Sequence, residues 1–169
     1  PVVKSAMPDT WVHGVMCDPG GVRLSREVRS LISSAEALNT QLKCWGVEMP
    51  SVSKEVANAY EKIALYGEHT WGGSKAISAY GEAFRKLPAE EYKDLEASWE
   101  DKTDYIRDAS EITQAIAMSD LACLAKNVRR NSTSYVVYNP LPWVRSGLVK
   151  VGNRMMFVKN IPSCGYRTI

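Results

Sequence analysis

His69 is the residue of this sequence whose type and setting best suit metal binding. It lies in the segment 67–73 (GEHTWGG), where glycines interrupt a helical pattern. A neutral imidazole is a common zinc ligand, and glycine lets the backbone approach a ligand closely. Glu68 and Thr70 are candidate partners that would fix the tautomer of the ring. The residues alone are equally compatible with a packed structural histidine, the more frequent role of a lone histidine beside an aromatic ring.

Trp11 is the second candidate, in the segment 9–14 (DTWVHG). An indole face stacks on the apolar face of a sugar ring, so Trp11 beside Asp9 suits a carbohydrate subsite. A tryptophan that anchors this loop onto a helix explains the same residues equally well. Zinc needs three or four ligands within a small sphere, and His13 with nearby carboxylates would supply them only by coincidence of folding. We therefore expect no complete catalytic site within these 169 residues.

Other chemistries find no support in the sequence. It contains no Walker-type phosphate loop, no Rossmann glycine fingerprint and no GxSxG elbow. With 21 basic and 19 acidic residues, the chain gives no reason to expect a nucleic-acid partner. The four cysteines form no CxxC pair, and no apolar run approaches the roughly 20 residues that cross a bilayer. We expect no nucleic-acid partner and no membrane partner, and the cellular compartment stays open.

Helical periodicity predicts the elements that must position these residues. The predicted stretches are a first helix over 22–45, a second from Ser51 or Ser53 to Tyr66, a third over 74–85 and a long helix over 88–128. The positions expected on the buried faces of the first two helices are Val22, Val28, Leu31, Ile32, Ala35, Leu38, Leu42, Trp45, Val56, Tyr60, Ile63 and Ala64. Long amphipathic helices need partners to cover their apolar stripes. The sequence therefore predicts a mainly α fold built on an antiparallel three-helix bundle.

Residues 131–169 change to a β pattern. Short β-rich runs occur at 135–138, 148–151 and 155–158, and Gly152-Asn153 between the last two is a two-residue hairpin signal. Because three short strands are too few to form a stable sandwich on their own, we expect an incomplete β-sandwich domain. The predicted organisation is a leading loop over 1–21, the bundle over 22–130 and the start of a β domain over 131–169. Because Pro1 stands where a methionine would begin a chain, we expect an internal piece of a longer protein.

Four segments agree in order and spacing with one family. They are 9–19 (DTWVHGVMCDP), followed by Arg26 and Ala35-Glu36; 65–72 (LYGEHTWG); 135–143 (YVVYNPLPW); and 161–166 (IPSCGY). The first resembles the stretch that enters the helical middle domain of family 38 α-mannosidases. The second resembles the zinc-histidine segment of a bacterial-type branch, and the last two resemble the start of the family's C-terminal β domain. The resemblance extends over nearly the whole chain.

This resemblance implies a zinc-dependent retaining glycoside hydrolase that acts on α-mannosides or a related glycan. It implies that His69 binds zinc and that Trp11, together with Asp9 and Thr70, lines the sugar subsite. In the family the catalytic aspartates and the remaining zinc ligands precede this segment, on an N-terminal α/β domain, so the chain alone is expected to be inactive. Many members have an aspartate directly after the zinc histidine, where this chain has Thr70. The alternative is a non-enzymatic helical interaction module that dimerises through its long helix or its exposed strands.

Overall fold

The predicted fold class is confirmed by a computed structural model, which describes residues 18–68, 86, 88–129 and 134–169. Over these residues the chain is mainly helical, with a three-helix bundle followed by antiparallel strands in two small sheets. The elements are α1 (Pro19–Cys44), α2 (Ser53–Gly67), α3 (Ala89–Asn127), β1 (Val136–Asn139), β2 (Arg145–Val151), β3 (Arg154–Ile161) and β4 (Gly165–Thr168). The helix predicted over 74–85 and the domain boundary predicted at residue 131 lie outside the described residues. Within the described ranges, no helix is both long and apolar enough to cross a bilayer.

Helix α1 begins three residues earlier than the apolar pattern predicts. The backbone N–H of Gly21 donates to Asp18 Oδ1 at 2.7 Å, so Asp18 is the N-cap and Pro19 takes the first helical position. The Val22 N–H donates to the Asp18 carbonyl at 3.0 Å, the first bond of the helical ladder. The two glycines at 20 and 21, expected in a loop, therefore lie in the first helical turn.

Helix α1 ends at Cys44, and Gly46 supplies the stop that the sequence predicts. Gly46 has a φ of +81°, its N–H donates to the Lys43 carbonyl at 2.9 Å, and the Val47 N–H donates to the Leu42 carbonyl at 3.0 Å. These two bonds form a Schellman motif, which satisfies the last helical carbonyls and needs a residue that adopts positive φ. Trp45, predicted on the buried face, is instead 46% exposed because the chain has already turned away from the helix there.

The buried stripe of α2 differs from the prediction at two positions. Val56 and Ile63 are buried as expected, but Tyr60 and Ala64 are exposed, and the fully buried Ala59 belongs to the stripe. Successive helical residues are rotated by about 100°, so Val56, Ala59 and Ile63 lie within about 60° of one another around the helix. Tyr60 and Ala64 lie progressively further round, on the side that faces solvent. The small side chain of Ala59 also permits close packing, whereas the exposed Tyr60 keeps its hydroxyl near water.

The chain forms two compact units, each of which includes part of all three helices. The first contains the described residues of 18–29 and 57–112, and the second contains those of 30–56 and 113–169. In the first unit, Lys62 Nζ lies 2.6 Å from Asp108 Oδ2 and Lys102 Nζ lies 3.3 Å from Glu68 Oε2. Residue numbers rise along α2 as their partners' numbers fall along α3, so these helices are antiparallel.

In the second unit, helix ends and strands share one apolar cluster. Leu38, Leu42 and Leu124 are buried in it, and Val136 and Tyr138 of β1 pack against them. The Tyr138 hydroxyl donates to the side-chain oxygen of Gln41 at 2.6 Å. Burial raises the pKa of Tyr138 to about 12, with a further contribution from the charge of Cys164. The phenol therefore stays protonated and keeps its hydrogen bond throughout the neutral range.

The strands pair into two antiparallel ladders of the second unit. Strand β1 pairs with β4, from Val136 opposite Thr168 to Asn139 opposite Gly165. Strands β2 and β3 form the predicted hairpin, which turns at residues 152–153. Because β4 returns to pair with β1 after the hairpin, the last segment of the chain closes onto the first strand.

One buried carboxyl group generates a pH prediction. Asp120 is 2% exposed, and its Oδ1 accepts a hydrogen bond from Asn39 at 3.4 Å, while Oδ2 has no partner among the described residues. Burial raises the pKa of Asp120, and the Asn39 hydrogen bond and the charge of Lys43 oppose that rise. Because the pKa is higher in the folded than in the unfolded chain, stability falls as pH rises through the interval between the two values.

We predict that Asp120→Asn raises the free energy of unfolding at pH 7 by about 1–2 kcal/mol, because it removes a charge that is buried without full pairing. The gain should shrink as pH falls and should be gone well below about 4, the ordinary aspartate pKa, where the wild-type carboxyl is neutral in both states. Urea unfolding followed by circular dichroism over this pH range measures both effects. Glu111→Gln on the exposed face of α3 is the matched control and should show no pH-dependent gain. A variant no more stable than wild type at any pH would contradict the prediction.

Candidate functional site

Asp18 joins three separate elements at one end of the first unit. Its Oδ1 accepts the Gly21 N–H, and its Oδ2 lies 3.2 Å from the Tyr66 hydroxyl and 2.9 Å from the Thr103 hydroxyl. The carboxylate therefore caps α1 and accepts donors from α2 and α3. A carboxylate that accepts several hydrogen bonds is stabilised in its charged form, which offsets its partial removal from water. Asp18 belongs to the segment 9–19 and Tyr66 to the segment 65–72, so two of the segments that carry the family resemblance meet here.

The close approach at this junction requires glycine at position 21. A Cβ atom there would overlap the Asp18 carboxylate and lie 2.5 Å from the Tyr66 hydroxyl oxygen. Both are closer than any side chain tolerates, and the Asp18 group is fixed by its capping bond. Gly21 is buried and lies within the helix. Glycine is therefore required here because it has no side chain, and not because the backbone adopts an unusual angle.

Tyr66 is buried, and its ionisation is suppressed. Burial, followed by the charge of Asp18 and the hydrogen bond to it, raises the pKa of Tyr66 above that of a free tyrosine. The neutral phenol thus remains the donor in this pair throughout the neutral and mildly alkaline range. Because the pKa is raised in the folded state, the stability that this group contributes is fully present below the ordinary tyrosine pKa and is lost as pH rises from there through the elevated value.

Glu68, which follows the end of α2 and precedes His69, is held by an ion pair. Glu68 accepts a hydrogen bond from Lys102, whose side chain is only 11% exposed, at 3.3 Å. A lysine this deeply buried needs an anionic partner to offset the loss of hydration. The pairing therefore positions the backbone at Glu68 relative to α3.

The candidate residues themselves lie outside the described residues. This applies to the predicted metal ligand His69 and to the predicted sugar-binding residues Trp11, Asp9 and Thr70, so their proximity stays a prediction. Within the part of the chain that the structure describes, no three His, Cys, Asp or Glu side chains are placed to hold one metal ion. What the structure adds is the junction at Asp18, which sequence reasoning missed although Asp-Pro before a helical pattern is a known start signal.

The other two resembling segments meet at Asn139. This buried side chain donates to the backbone carbonyls of Trp143 and Pro162, each at 2.8 Å, and accepts the Leu141 N–H at 3.2 Å. The Cys164 N–H donates to the Leu141 carbonyl at 2.9 Å. Asn139 thus holds the turn after β1 against the turn between β3 and β4. Its role is structural, because its amide is engaged by backbone groups.

A double-mutant cycle tests the Asp18 junction. We expect Asp18→Ala to cost about 2–4 kcal/mol of unfolding free energy, since it removes an N-cap and two further hydrogen bonds to a charged group. Tyr66→Phe should cost about 1–2 kcal/mol in the wild-type background and close to nothing beside Asp18→Ala. Denaturant unfolding of the four proteins gives the coupling energy.

Tyr105→Phe, a change at a half-buried tyrosine of α3, is the matched control and should add to Asp18→Ala without coupling. Additive effects of Asp18→Ala and Tyr66→Phe would show that the two side chains do not interact.

Comparisons with known proteins return nothing at any level: no family model, no curated protein and no solved structure matches this chain.

Proposed function

We propose that this chain is part of a zinc-dependent retaining glycoside hydrolase that acts on α-mannosides. In this proposal His69 supplies one zinc ligand, and Trp11 with Asp9 and Thr70 lines the sugar subsite. The catalytic aspartates and the other zinc ligands belong to an N-terminal catalytic domain that precedes the bundle. The chain on its own has no hydrolase activity.

The observation that carries the proposal is the hydrogen bond between Asp18 and Tyr66. The segment with Trp11 leads into Asp18, and the segment with His69 follows Tyr66 after two residues. Because Asp18 and Tyr66 are in contact, the two candidate segments are attached to neighbouring points of the bundle. This is what a shared sugar and metal site requires of two segments so far apart in sequence.

The architecture gives independent support. The resemblance implies a three-helix middle domain followed by antiparallel strands, and the described residues have this order of elements. Asp18, Tyr66 and Asn139 also have structural roles that account for their places in the resembling segments. The chemistry proposed for these segments therefore rests on His69, Trp11, Asp9 and Thr70.

The donor chemistry of this chain fits a shared zinc site rather than a complete one. Asp18 is occupied by three hydrogen-bond donors and Glu68 accepts from Lys102. In this proposal the imidazole of His69 is the nitrogen ligand, with further ligands coming from the catalytic domain. Bound zinc would grip two sugar hydroxyls and favour distortion of the ring toward an oxocarbenium-like transition state.

The remaining residues bind and orient the sugar. Trp11 offers an apolar surface to one face of the ring and shields it from water. Thr70 offers a hydroxyl where many family members have a carboxylate, so its hydrogen bond to a sugar hydroxyl is weaker and uncharged. This difference bears on substrate choice, and α-mannosides are the default substrate class.

The interaction-module alternative is favoured by one face of the β2–β3 hairpin. Leu148 pairs with Phe157 and Lys150 with Met155, and directly opposed residues point to the same face. Leu148, Met155 and Phe157 are each more than half exposed. An apolar sheet face of this kind suits pairing with a second copy of the chain.

Zinc-dependent activity of the intact protein, including the domain that precedes this segment, separates the two functions. We expect hydrolysis of 4-nitrophenyl α-mannoside that a chelator abolishes and zinc restores. His69→Ala should lower both bound zinc, measured by mass spectrometry, and kcat/KM by on the order of 100-fold or more, because a side chain that binds the zinc ion is lost. His13→Ala changes the other histidine of the chain and is the matched control, which should keep both.

Activity that resists the chelator, or a His69→Ala variant indistinguishable from wild type, would overturn the glycosidase proposal. The interaction module predicts that second outcome, together with a tight dimer in sedimentation velocity.

A further inference from the structure

A groove in the second unit has the dimensions of a ligand site. It lies between the C-terminal ends of α1 and α3 and the turn before β4, and it encloses about 570 Å³. Small-molecule sites in proteins typically measure about 300–1,000 Å³. Its walls belong to elements fixed by the Schellman motif at Gly46 and by the β1–β4 ladder. The groove is therefore formed by rigid parts of the unit.

Two amphipathic aromatic side chains line the groove. The ring centroids of Trp45 and Tyr166 are 6.0 Å apart, and their planes meet at 72°. Each ring is more than a third exposed, and no hydrogen bond engages the Trp45 indole N–H or the Tyr166 hydroxyl within the described ranges. The edge-to-face contact holds the two rings in a fixed relation to each other. Because their planes are nearly perpendicular, the two rings form an apolar corner, beside two polar groups that have no hydrogen-bond partner among the described residues.

The rest of the lining is neutral. Leu42, Val47, Leu124 and Val128 supply aliphatic surface, and none of the residues that line the groove is charged. The Asn127 side-chain nitrogen donates to the Cys123 carbonyl at 3.0 Å, which leaves the oxygen of that amide as an acceptor. An anionic or cationic ligand would lose its hydration here without an opposite charge in the lining to offset the loss.

Aromatic and aliphatic walls with a few neutral polar groups favour a ligand ring that is apolar on its faces and polar at its edge. A purely apolar ligand would cover the indole N–H, the phenol hydroxyl and the Asn127 oxygen without forming hydrogen bonds to them. Each polar group buried in this way would lower the binding affinity. A neutral pyranose stacks its C–H face on an aromatic ring and presents hydroxyls around its rim. We infer that the groove lined by Trp45, Tyr166 and Asn127 is a binding site for a neutral pyranose of a glycan.

None of the described residues that line this groove is a candidate for the proposed zinc site, and the inference needs neither His69 nor metal. It would hold a sugar residue of a glycan chain without hydrolysing it, since no acidic side chain lines the groove. A single stacked sugar with a few hydrogen bonds supports weak binding, with a Kd in the range of about 1–10 mM.

The test is saturation-transfer NMR of the full chain with methyl α-mannopyranoside, methyl α-glucopyranoside and glucuronate. We expect saturable binding of a neutral glycoside, weaker binding of glucuronate, and no change on adding a chelator or on His69→Ala. Trp45→Ala should weaken binding about tenfold or more, and Tyr166→Phe, which keeps the ring and removes one hydroxyl, about threefold. Trp143→Ala, at an exposed tryptophan outside the groove lining, is the matched control and should bind as wild type.

Circular dichroism of each variant shows whether it folds, and Tyr166→Phe keeps the test decisive if Trp45→Ala does not. Three results would overturn the inference: no saturable binding of either neutral glycoside, equal weakening by Trp143→Ala, or loss of binding with the chelator or His69→Ala. Because binding in the groove is independent of zinc, its failure and the failure of the glycosidase proposal are distinguishable.

Discussion

The carboxylate of Asp18 is the interaction on which the described end of the bundle depends. It caps α1, accepts the hydroxyl of Tyr66 from α2 and lies within hydrogen-bond distance of Thr103 on α3. Apolar packing sets how tightly helices approach, but it is non-directional and permits sliding along an apolar stripe. A charged group with three directional partners fixes the rotation and register of the helices at this point. The demand for glycine at position 21 follows from the same crowding.

Asn139 has a comparable role among the strands. Its side chain satisfies backbone groups of two turns that are distant in sequence, which brings the last strand of the chain back to the first. Both junctions join segments that resemble the same enzyme family. Asp18, Tyr66 and Asn139 therefore have structural roles, and the proposed chemistry rests on His69, Trp11, Asp9 and Thr70, which lie outside the described residues.

Elements with local signals were predictable from sequence, whereas polar junctions were not. The periodicity of the long helix and the Gly152-Asn153 turn gave α3 and the β2–β3 hairpin to within a few residues. The start of α1 differs from the prediction because Asp18 caps the helix before its apolar periodicity begins. The burial of Asp120 has no sequence signature at all, since a carboxylate on a long polar helix is ordinarily solvated.

For the candidate site, too, the sequence indicates the residue types but not the contacts between distant segments. The types of His69 and Trp11 point to zinc and sugar, but nothing local shows which elements bring them together. Contacts such as Asp18 with Tyr66 join residues far apart in sequence and arise only when the helices pack. The sequence therefore predicts the chemistry of the candidate site, and the structure describes contacts of the residues that flank it.

Anomalous diffraction at the zinc edge from crystals of the intact protein tests the central claim most directly. The account predicts a peak about 2.0–2.1 Å from an imidazole nitrogen of His69, with further ligands from the preceding domain. An imidazole sealed inside the bundle, with both nitrogens hydrogen-bonded to neighbouring side chains and no peak beside it, would contradict the account.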